Sequence, residues 1–77
     1  METHSTRALV SIIVQSAQGG NKNLFNRAII ALQEKTLQER EQGLYSIVFH
    51  LREHEIGPYF TSRIEEITPK EEPQPAV

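Results

Sequence analysis

The chain has 77 residues, with eight Lys/Arg against ten acidic residues, no cysteine and 38% hydrophobic residues. That length holds one domain, of a size that buries only about 60% of the surface its unfolded chain exposes. Without cysteine there can be no disulfide, thiol nucleophile or Cys-based zinc site. No apolar run approaches the ~18 residues of a membrane span, and residues 1–7 lack the basic-then-apolar pattern of a signal peptide. The expected location is therefore the cytoplasm.

The seven basic residues between positions 1 and 67 are scattered, so the positive stripe that nucleic-acid binding requires does not form. All ten acids are Glu and none is Asp, a lean toward helix because Asp favours caps and turns.

Taken in chain order, residues 5–18 read STRALVSIIVQSAQ. On a helix, Arg7, Ser11, Gln15 and Gln18 make one polar stripe, with Leu9, Val10, Ile12, Ile13 and Val14 filling the rest. On a strand, Ala8, Val10, Ile12 and Val14 would share a face. The polar stripe and the Gly19-Gly20 cap chemistry favour a helix over 6–18.

Asn21 or Asn23 is an N-cap for a second helix over 23–42. Leu24, Phe25, Ala28, Ile29, Leu32 and Thr36 form its apolar face, whereas 33–42 carries only Leu37. Gly43 either caps that helix or sits within a longer one. Ile30, Leu37, Leu44 and Leu51 recur every seven residues, but polar residues hold most of the intermediate core positions, so a coiled coil is not expected.

Residues 44–56 predict a third helix, ended by Gly57 and Pro58, with Leu44, Ile47, Val48 and Leu51 inward. Pro58 suits the first turn of a last helix over 58–67, lined by Tyr59, Phe60, Ile64 and Ile67. Residues 68–77 hold three prolines and almost nothing to bury, and read as a disordered acidic tail.

The expected fold is all-α, a three- to four-helix domain over 1–67 followed by that tail. The alternative is α+β, with strands at 8–15 and 44–51 around one long helix. Two strands make a poor sheet alone, so that version needs a dimer.

Candidate chemistry is sparse. His50 and His54 stand at i, i+4 with Glu53 nearby, but the His-Glu-x-x-His order is missing and no third ligand is fixed, so no metal site is expected. Gly19-Gly20-Asn21-Lys22 matches neither GxxxxGK[ST] nor GxGxxG and reads as a turn with a cap. A helix-turn-helix would rely on Asn23, Asn26 and Arg27 without a basic patch around them. No Ser stands in a nucleophile elbow and no Asp is present to orient a His, so no catalytic residue, cofactor or enzyme activity is expected.

No motif is specific enough to name a family. The reading that remains is a non-catalytic protein-interaction module, a small regulator, adaptor or inhibitor. Its alternative is a small nucleic-acid-binding regulator of transcription. Six large apolar side chains within 44–51 exceed what one helix can turn inward. The expected interaction surface is therefore Leu44, Tyr45, Val48 and Phe49 with Leu37, and the expected assembly a homodimer.

Overall fold

Local capping chemistry sets the element boundaries in the computed structural model, which describes residues 4–52 and 54–68. Ser5 starts helix α1 (Thr6–Gly19), its hydroxyl oxygen accepting from the Ala8 amide at 3.1 Å. Gly20 ends it in the left-handed region at φ 75°, where a Cβ would be strained. The next amide, Asn21 N–H, donates to the Ser16 carbonyl at 2.9 Å. Asn21 then turns from terminating one helix to starting another, since its Oδ1 accepts from the Leu24 amide at 3.1 Å. Helix α2 (Lys22–Gln33) follows at once and packs along α1.

The second helix expected over 23–42 is shorter than the sequence pattern suggested. It ends at Gln33, and after three intervening residues a new helix, α3 (Leu37–Leu51), begins. Thr36, expected on the helical face, is instead the N-cap of α3, its Oγ1 accepting from the Glu39 amide at 3.2 Å. Thr36-Leu37-Gln38-Glu39 has the Thr-x-x-Glu order of a capping box. Arg40 reaches back from α3 and donates to the Gln33 carbonyl at 3.1 Å, satisfying one of the bare carbonyls at the end of α2.

Gly43 therefore lies inside α3 and caps nothing. It is buried, and a Cβ there would stand 3.0 Å from Leu32 Cδ1 and 3.3 Å from Thr6 Cγ2. Its missing side chain lets α3 approach α1 and α2 closely, at a helix-propensity cost of about 1 kcal/mol. The break at 34–36 also interrupts the seven-residue spacing. Leu44 and Leu51 are buried, Ile30 and Leu37 are exposed, and no single seam joins them.

Helix α3 ends at Leu51, short of the expected residue 56. A connection leads to Gly57 and Pro58, which open α4 (Pro58–Ile67). Thr68 closes α4, its amide and hydroxyl both donating to the Ile64 carbonyl, at 2.9 and 2.6 Å. The four helices make this an all-α domain. The strands of the α+β alternative are absent among the described residues, since 8–15 and 44–51 are helical. The tail expected beyond Thr68 lies outside the described residues.

The core sits where α1, α2 and α3 meet. Leu9, Ile13, Phe25, Ala28, Ile29, Leu32 and Ile47 have no exposure at all. Each large member contributes roughly 1.5–3 kcal/mol through burial. Ser16, buried among them, donates its hydroxyl hydrogen to the Ile13 carbonyl at 3.1 Å.

Helix α4 joins through side chains aimed at α2. Phe60 meets Phe25 edge-on, centroids 4.9 Å apart. Asn26 donates to Tyr59 Oη at 2.8 Å and accepts from Arg63 Nε at 3.3 Å, while Lys22 Nζ lies 4.8 Å above the Tyr59 ring.

Candidate functional site

Helix α3 carries two apolar faces because its sequence has more large apolar residues than one core can accept. Gly43, Leu44, Ile47 and Leu51 turn inward and are buried. Leu37, Tyr45 and Phe49 turn outward, with 60%, 49% and 67% of their surfaces exposed. Val48 lies between the two sets, half-buried against the core. Of the residues expected at the interaction surface, Leu37, Tyr45 and Phe49 are exposed and Val48 is partly so. Leu44 is the correction: it is 2% exposed and belongs to the core, because it stands one turn from Ile47 on the inward face.

The outward face has ordered features. Glu41, Tyr45, Val48 and Arg52 stand at i, i+4, i+7 and i+11, a spacing that keeps them on one side of a helix. Leu37 extends the row by one turn. The acid lies toward the start of α3 and the base at its end.

Beside the end of this row α3 and α4 diverge. The open groove between them measures about 710 Å³ and is lined by Val48, Leu51, Arg52, Ile56, Thr61 and Ile64, among others. Composition offered no sign of this groove, because it depends on the angle at which α4 leaves the 54–57 connection. A second groove of about 650 Å³ runs between α1 and α3, with Val10 and Val14 beside Arg7, Ser11, Gln15 and His50 in its walls.

The histidine pair does not assemble. Helix α3 stops between His50 and His54, so the two do not share a helical face. His50 Nδ1 lies 2.8 Å from the Ser46 carbonyl, positioned to donate there, and its ring meets Phe49 edge-on. No cluster of three metal-ligating side chains occurs among the described residues. The Gly19-Gly20-Asn21-Lys22 segment is the α1–α2 turn, its Asn side chain spent on the cap. Of the three residues singled out as base readers, Asn23 and Arg27 are exposed, while Asn26 is held by Tyr59 and Arg63.

Comparison of the chain with protein-family models, curated proteins and solved structures finds no match. The class the geometry defines is a small all-α domain with an apolar row on the outside of its third helix. No helix among the described residues is long and apolar enough to cross a membrane.

Proposed function

We propose that this chain is a non-catalytic protein-interaction module that binds through the outward face of α3, and that its first partner is a second copy of itself. One observation supports the reading above the others: Leu37, Tyr45 and Phe49 are large, apolar and exposed along one helix. Apolar surface gathered this way marks interfaces, whose cores favour aromatic residues. Size points the same way. A core of this extent, without a disulfide or metal, rarely supplies more than about 3–5 kcal/mol, and association adds to it.

The test is capture on immobilised wild-type chain beside Leu37→Glu and Phe49→Glu, with Gln18→Glu on α1 as a control. All three positions are exposed, so each variant keeps a helical circular dichroism spectrum. The reading expects a protein, or the chain itself, that the two α3 variants lose and the control retains. A bound set identical for all four chains overturns it.

A further inference from the structure

The order of residues on α3 indicates how a second copy would sit, and the following rests on the interaction reading above. A twofold interface brings residue i of one copy to residue j of the other, and j to i. A row with an acid at its start and a base at its end is then complementary to itself only when the two helices run antiparallel. Run parallel, Glu41 would face Glu41 and Arg52 would face Arg52. Neither Glu41 nor Arg52 forms an ion pair with another described residue. They stand eleven positions apart, about 16 Å along the helix, too far to pair within one chain.

We propose that two copies pair antiparallel through α3, about an axis between Ser46 and Ile47. Glu41 of each meets the partner's Arg52, Tyr45 packs over the partner's Val48, and Leu37 enters the partner's groove between α3 and α4. The register follows from the helix itself. Positions 41 and 52 add to the same value as 45 and 48, and Leu37, one turn before Glu41, then reaches past the partner's Arg52 and the end of its α3, where that groove opens. Leu37 is exposed with no partner in its own chain's core, and the groove it reaches is walled by Val48, Leu51, Ile56 and Ile64. A groove of about 710 Å³ takes a leucine together with part of the turn that carries it. The apolar contacts supply affinity, while the two ion pairs select direction and register.

Sedimentation equilibrium of the full chain, from micromolar to submillimolar concentration, tests this. Wild type is expected at twice 8.8 kDa. Glu41→Lys and Arg52→Glu alone each create two like-charge contacts and weaken the dimer about tenfold. Combined, Glu41→Lys with Arg52→Glu re-forms both pairs with their signs exchanged and restores wild-type affinity. Leu37→Glu abolishes the dimer. A wild-type mass of 8.8 kDa at every concentration overturns the self-pairing. In that event the capture experiment still decides whether α3 binds a different protein. A dimer that the double variant fails to restore, or that Leu37→Glu leaves intact, overturns the antiparallel register.

Discussion

The two faces of α3 have the same kinds of residue and opposite fates. Inward stand Leu44, Ile47 and Leu51, outward Leu37, Tyr45 and Phe49, and the helix between them is continuous. Hydrophobicity therefore does not decide which side is core. The inward face is chosen by Gly43, where the missing side chain lets α3 close on Leu32 and Thr6. The outward face is what remains after that contact is made. One face holds the fold together and the other stays exposed.

Substitutions break or sharpen this contrast, and the largest effect falls on the inward side. Ile47 has no exposure, so Ile47→Ala removes buried methyl groups and leaves a cavity. We expect a loss of about 2–5 kcal/mol by urea denaturation. Gly43→Leu drives a side chain into the space held by Leu32 and Thr6, and should cost about 1–3 kcal/mol from overpacking. A gain in stability there would show that Gly43 does not set the approach of the helices. Thr36→Ala removes the cap that fixes where α3 begins, for about 1 kcal/mol with the fold kept. Phe49→Glu is the smallest. Read at a concentration where wild type is monomeric, it should move stability by no more than about 0.5 kcal/mol. Unfolding by Phe49→Glu would place that ring in the core and dissolve the contrast.

Much of the architecture was legible in the residues. The first helix was readable from its polar stripe and double glycine, and the last from Pro58 after Gly57. The break at 34–36 was not read, although Thr36-Leu37-Gln38-Glu39 carried the signal. Thr36 also continues an apolar face at helical spacing, so periodicity masks the cap. The end of α3 was missed because Arg52 through Ile56 remain helical in composition until Gly57 stops them. The exposed aromatic residues of α3, Tyr45 and Phe49, were legible as an apolar excess. Leu44 reads from its spacing as inward and from the apolar excess as surface, and its burial leaves only the first.

The sequence by itself determined that this chain is a small helical domain without disulfides, and it placed an excess of apolar residues near 44–51. Local chemistry suffices for that: propensity, caps and composition act over a few residues. Only the tertiary structure decided that Gly43 is a contact point, that Leu44 does not also reach the surface, that the histidines part, and that a groove opens between α3 and α4. Each of those depends on how whole helices approach one another. That approach is set by close packing among residues distant in the chain, such as Thr6, Leu32 and Gly43.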